Sequence, residues 1–120
     1  MSVFWSTVSQ GMDDGLTAIV VAAPDGGEVT IKLCGSIDRQ SCAIVSETFL
    51  GALADHAAER IVLDVAGVDF CDVAGVRVLV AAHRHAAACG VTCSIVNPRE
   101  HIRWLFGAMG TAAVLEVAGG

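Results

Sequence analysis

The chain has 120 residues, 54% of them hydrophobic and 17% charged, with a formal net charge of -6. That is one domain with its own core, needing neither disulfides nor metal to hold it, and too apolar to be disordered as a whole. The seven Lys and Arg are scattered singly, with no basic cluster to neutralise phosphates, which disfavours nucleic acid and anionic lipid as partners. No stretch approaches the roughly 20 apolar residues that cross a bilayer, so direct membrane insertion is not expected. No Lys or Arg precedes Lys32; the positive start of a secretory signal is missing and the cytoplasm is the expected location. Five cysteines (Cys34, Cys42, Cys71, Cys89, Cys93) at irregular spacing fit reduced thiols better than a disulfide framework.

Residues 1–15 have mixed character and read as a partly disordered lead-in, with Phe4 and Trp5 as candidates to pack on the domain that follows, residues 16–118. Leu16 to Ala23 is rich in β-branched residues and meets a turn signal at Pro24-Asp25-Gly26-Gly27. Val29, Ile31 and Leu33 then alternate with Thr30, Lys32 and Cys34, so the two segments form an opening β-hairpin. Asp38 is placed to cap a helix whose stripe is Cys42, Val45, Phe49, Ala52 and Leu53, ending near His56. Ile61 to Val65 is a short apolar run, the pattern of a strand buried on both faces.

A second helix runs from Val73 to about Ala88, with Val76, Leu79, Val80, His83 and Ala87 inward and Gly90 as its stop. Thr92 to Val96 is a strand, and Pro98 suits the first position of a third helix. That helix turns Ile102, Leu105, Phe106 and Met109 inward and stops at Gly110; Val114 to Val117 is a candidate edge strand. The order β-β-α-β-α-β-α-β implies an α/β fold, a mixed β-sheet with crossover helices.

Other constellations carry little. His85, Cys89 and Cys93 suggest three metal ligands, but nothing nearby completes a set, so no metal or other cofactor is expected. His56, His83, His85 and His101 lie on or beside helices with no motif tying one to a nucleophile. Gly26-Gly27 lacks the spacing of a phosphate loop. No catalytic residue is assigned, and the chain is expected not to be an enzyme. Trp104 falls off its helix's apolar stripe and reads equally as a partner anchor or as a lid over its neighbours.

Three segments in order resemble a STAS domain, the family of bacterial anti-sigma factor antagonists (anti-anti-sigma factors). Leu33-Cys34-Gly35-Ser36-Ile37-Asp38 is similar to the family's approach to its first helix. Ile61-Val62-Leu63-Asp64-Val65-Ala66-Gly67-Val68-Asp69-Phe70-Cys71-Asp72-Val73-Ala74-Gly75-Val76 is similar to its central strand and Asp-Ser-Ser-Gly turn. Val96-Asn97-Pro98 and the helix closing on Met109-Gly110 complete the likeness, which covers residues 16–118. The resemblance implies a STAS-like fold and regulation of transcription by partner switching. In such a switch the antagonist binds an anti-sigma factor, usually a serine kinase, and frees a sigma factor. Phosphorylation of the first Ser of the turn breaks that complex.

This chain departs from the pattern where it matters. Asp72 and Gly75 match, but Val73 and Ala74 stand where the serines belong. Val73 has no hydroxyl, so regulation by phosphate at that position is ruled out. The chain is then a permanently competent antagonist, is controlled in another way, or has a partner that is not a kinase. Ser36 and Ser41 are surrogate acceptors to be weighed against ordinary turn and first-turn hydroxyls. Cys71, beside a helix start, is a redox candidate to be weighed against a small buried hydrophobe.

The surface expected from the resemblance combines Ser36, Asp38 and Arg39 with Asp72, Val73, Ala74, Gly75, Val76 and Arg77. Asp38 and Asp72 are expected to cap their helices, and Val76 and Arg77 to be exposed. The expected partner is an anti-sigma factor or related regulatory protein, and a homodimer is compatible with the sequence. The alternative is an accessory STAS subunit of a lipid-transport ABC complex or a stress-signalling scaffold. Nucleotide binding, reported for some STAS domains, is a third and weaker reading.

Overall fold

The computed structural model describes residues 4–9, 15–24, 26–55, 58–111 and 117–118, the strands at 4–9 and 117–118 as backbone. In chain order these are β1 (Phe4–Ser9), β2 (Thr17–Ala22), β3 (Glu28–Ile37), α1 (Cys42–Asp55), β4 (Arg60–Cys71), α2 (Val73–Ala88), β5 (Thr92–Val96), α3 (Glu100–Ala108) and β6 (Val117–Ala118). The strands form one six-stranded sheet in sequence order. β1, β2 and β3 pair antiparallel, whereas β3 through β6 pair parallel. The expected hairpin is β2–β3. The lead-in reading is corrected for residues 4–9, which add a strand to the β2 edge. β6 places a strand at Val117–Ala118; residues 114–116 of the expected edge strand lie outside the described residues.

Alternation fixes which face of the sheet is the core face. Ala18, Val20 and Ala22 of β2, Val29, Ile31 and Leu33 of β3, and Ile61, Leu63 and Val65 of β4 are all buried. The residues between them, such as Ile19, Thr30, Val62 and Asp64, are half-buried or exposed. The expectation that β4 is buried on both faces is therefore corrected. Among the described residues, α1 packs on β2 and β3, α2 on β4 and β5, and α3 on β4. Ile102 and Phe106 join α3 to the same core cluster as the other two helices.

β4 carries two irregularities against β3, between Lys32 and Cys34 and between Gly35 and Ser36. Each inserts an extra residue in β4, and because side chains alternate with period two, each flips which residues face inward. Burial accordingly passes from Val65 to Val68 and then to Cys71. Asp69 and Phe70 are left outside. Gly35, at φ +114, lies at the second irregularity, and a Cβ there would come within 2.7 Å of Gly15 O; both the backbone and the space require glycine.

The helix stripes hold with a rotation of about one position. In α2 the buried residues are Gly75, Val76, Leu79, Ala82 and Ala86; Val80 and His83 are half-buried and Ala87 is exposed. In α1 the stripe is Ile44, Val45, Phe49 and Ala52, with Cys42 half-buried. α3 begins at Glu100 after Arg99, two residues later than the Pro98 expectation. Asn97 at φ 61 turns the chain first, a conformation Asn tolerates better than most side chains.

Candidate protein-docking site

β3 and β4 run parallel side by side and end in register, Ile37 opposite Cys71. Each strand leads into a helix within a few residues, so the starts of α1 and α2 are brought to one end of the sheet. The Asp72 amide donates to Ile37 O at 3.2 Å, which ties the α2 start directly to the end of β3. Asp38 and Asp72, 34 positions apart in sequence, thereby become neighbours.

Asp72 caps α2 as expected: its Oδ1 accepts from the Gly75 amide at 2.9 Å, satisfying one of the unpaired donors of the first turn. Asp38 does not cap α1, and that expectation is corrected. Its Oδ1 accepts from the amides of Gln40 at 2.9 Å and Ser41 at 3.0 Å, which organises a tight turn one step before the helix. The residue preceding α1 is Ser41, whose hydroxyl donates to Ser36 O at 2.7 Å and accepts from the Asp38 amide at 2.9 Å. Ser41 is only 5% exposed. A hydroxyl so buried and so bonded is part of the turn, which argues against it as a surrogate phosphoacceptor. Ser36 is half-buried.

The surface above these turns consists of exposed Arg39, Val73 and Arg77, with half-buried Ser36, Asp38, Asp72 and Ala74 between them. Val73 is 46% exposed, so an apolar side chain faces solvent where the family pattern has its acceptor serine. Val76 is buried completely, contrary to expectation. Three residues past the helix start, its side chain has rotated onto the core face with Leu79. Gly75 is also beneath the surface: a Cβ there would collide with Ile37 O and sit 2.7 Å from Cys71 Sγ. Only glycine lets α2 approach β3 this closely.

Two thiols lie under the turn. Cys42 Sγ donates to Ala74 O at 3.5 Å, and Cys71 Sγ to Asp72 O at 3.6 Å. Burial pushes the Cys42 thiol up, helped by the charges of Asp72 and Asp38; a single side chain between the two helix starts senses both carboxylates. Burial, with the Asp72 charge and Cys42 behind it, pushes Cys71 up to about 12. A redox-sensing thiol needs a lowered pKa and access. Cys71, 8% exposed, has neither, which favours the reading as a small core residue over the redox one.

Sequence reasoning missed Phe70, which is 50% exposed. Plain alternation from Val68 would have buried it, and only the irregularity in β4 turns it outward. His101 Nε2 lies 2.8 Å from Asp69 O, which sets the first turn of α3 beside Phe70. Trp104, one turn on, is 71% exposed, so of its two readings the lid is not seen. His85, Cys89 and Cys93 do not form a metal site: among the described residues no group of three or more His, Cys, Asp or Glu is placed to hold a metal ion. No helix of the described residues is long and apolar enough to cross a membrane.

Two parallel strand ends, the Asp38 turn and the Asp72-capped start of α2 thus share one surface of apolar and charged side chains. The family model described as "Mlab, STAS domain" matches residues 20–116, and the chain belongs to that family. No curated protein matches the sequence. The fold is similar to that of the Bacillus anti-sigma factor antagonist SpoIIAA in its unphosphorylated form, at TM-score 0.68 and 19% identity over 82% of this chain and 84% of that one. It is also similar to an anti-sigma factor antagonist from Mycobacterium paratuberculosis, at TM-score 0.68 and 16% identity over 95% and 85% of the two chains. The murine anion transporter Slc26a9 matches at TM-score 0.68 and 19% identity over 94% of this chain but 20% of its own.

Proposed function

We propose that this chain is a non-catalytic docking domain of the anti-sigma factor antagonist type, acting in the cytoplasm. It binds an anti-sigma factor, a serine kinase or a related regulatory protein, and so frees a sigma factor. The observation that carries this reading is the juxtaposition of Asp38 and Asp72 through the Ile37–Cys71 register. It builds a rigid platform, with an exposed Val73 at its centre, and the platform needs no bond-making group. A phosphate at the start of α2 would add about 1.5 to 2 negative charges beside Asp72. Valine cannot carry one, so the surface stays in its binding form.

The test is affinity capture of the chain and its Val73→Glu variant from the source cells. The expected outcome is an anti-sigma factor retained by the wild type, with binding weakened about tenfold or more by the new charge in the apolar contact. Unchanged retention by Val73→Glu would remove this surface from the argument. A second reading, an accessory STAS subunit of a membrane transport assembly, is favoured by the "Mlab, STAS domain" description of the matching family. Co-purification of a membrane ATPase in place of a soluble kinase and sigma factor selects it.

A further inference from the structure

The exposed face of α2 continues past Val73 and Arg77, beyond the residues of the docking surface. Val73, Arg77, Ala81, Arg84 and Ala88 recur at helical spacing and are all exposed. The helix contains Arg77, His83, Arg84 and His85 and no acidic residue, within a chain of net charge -6. Among the described residues neither Arg77 nor Arg84 has a carboxylate within ion-pair distance; the ion pair there is Arg60 with Glu28. The ridge is therefore a positive strip on an acidic protein.

An apolar-floored groove flanks the ridge on each side. Toward α1 a groove of about 170 Å³ is floored by Phe49, Val78 and Ala82. Toward the end of α3 a groove of about 320 Å³ is floored by Val76, Val80 and Met109, with Arg77 and Arg84 at its rim. Ala81 lines both grooves. A small residue on the crest, with a depression on either side, lets another helix approach and set its own ridges into the grooves. Arg77 and Arg84 stand seven residues apart in sequence, about 10 Å along the axis, which matches acidic side chains two turns apart on such a helix.

We infer that the α2 ridge is a second docking surface, one that receives an acidic amphipathic helix of a partner protein. Charge complementarity chooses this occupant: the partner offers an apolar stripe for the two grooves and carboxylates for Arg77 and Arg84. Arg77 is where this surface meets the Asp38–Asp72 platform, but the ridge stands whether or not that platform binds an anti-sigma factor.

The test uses a synthetic amphipathic helix with glutamates two turns apart at the edges of a leucine-alanine face, and a counterpart with lysines in their place. Binding to the isotopically labelled chain is followed by amide chemical-shift mapping. The glutamate peptide is expected to move the signals of Arg77, Val80, Ala81, Arg84 and Met109. The Arg77→Glu/Arg84→Glu chain is expected to bind it about fivefold to tenfold more weakly and to prefer the lysine peptide. Both arginines are exposed, so an unchanged circular dichroism melt verifies that this variant folds; should it fail to fold, Ala81→Trp tests the same ridge by blocking its crest. The inference is overturned by shifts confined to other elements or by equal binding of the lysine peptide to the wild type. Arg84-dependent self-association in place of peptide binding overturns it in favour of a second copy. Arginine-dependent binding to phosphatidylglycerol vesicles in place of peptide binding overturns it in favour of lipid.

Discussion

Gly75→Ala tests the close approach of α2 to β3, because two effects of opposite sign meet at one methyl group. Gly75 lies in the first turn of α2, where alanine gains at most about 1 kcal/mol of helix propensity. Against that, the new Cβ collides with the backbone oxygen of Ile37 and sits 2.7 Å from Cys71 Sγ and 2.9 Å from Ile37 Cγ2. The backbone oxygen cannot swing aside, so α2 has to move away. Overpacking of this kind costs about 1–3 kcal/mol. The movement also stretches the 3.2 Å bond from the Asp72 amide to Ile37 O, which contributes about 1 kcal/mol when intact.

The net expectation is a loss of about 1–3 kcal/mol in urea unfolding followed by circular dichroism, with the midpoint lowered and the slope unchanged. Gly51→Ala on α1 is the control, since no atom lies within 4 Å of its Cβ position; it is expected to gain up to about 1 kcal/mol from propensity alone. If Gly75→Ala proves as stable as Gly51→Ala, the contact between the helix start and β3 does not hold the platform together.

Other outcomes follow from the same turns. Asp72→Ala removes the cap on Gly75 N and is expected to lower stability by about 1 kcal/mol in the same unfolding assay. Ser41→Ala leaves Ser36 O and the Asp38 amide without their hydroxyl partner and is expected to cost about 1–3 kcal/mol. A thiol reagent at neutral pH is expected to label the exposed Cys34 and Cys89 and spare Cys71; rapid labelling of Cys71 in the folded chain contradicts its burial. Because the folded Cys71 holds its proton to about 12 and an ordinary thiol releases it near 9.0, the unfolded chain loses that proton first. Stability should therefore fall as pH rises from about 9 toward about 12, and Cys71→Ala should flatten part of that fall.

The order of elements from β2 onward and the apolar faces of its strands were legible because burial on one face imposes period two on strands and 3.6 on helices. Asp72 as a cap was equally legible, since an acidic residue directly before a helix start has a local role. What local reasoning mistook were features set by a partner strand. Asp38 reads as a cap from its position, but the turn it makes closes one residue early because Ser41 is drawn back to Ser36 O at the β3 irregularity. Val76 reads as exposed in a motif and as inward in a helical stripe; the packing of α2 on the sheet decides for the stripe. β1 carries too little pattern to be seen before its pairing with β2 supplies the backbone bonds.

By itself the amino-acid sequence determined the class of fold, the two segments that meet at the site, and the chemical fact that Val73 cannot take a phosphate. Each of these depends on residue identity or on neighbours close in the chain. Only the tertiary structure decided that Phe70 faces solvent, that Cys71 is sealed from it, and that Arg77 and Arg84 share a ridge between two grooves. Those outcomes depend on strand register and helix packing, where one inserted residue reverses inside and outside, and no stretch of sequence records which partner it will meet.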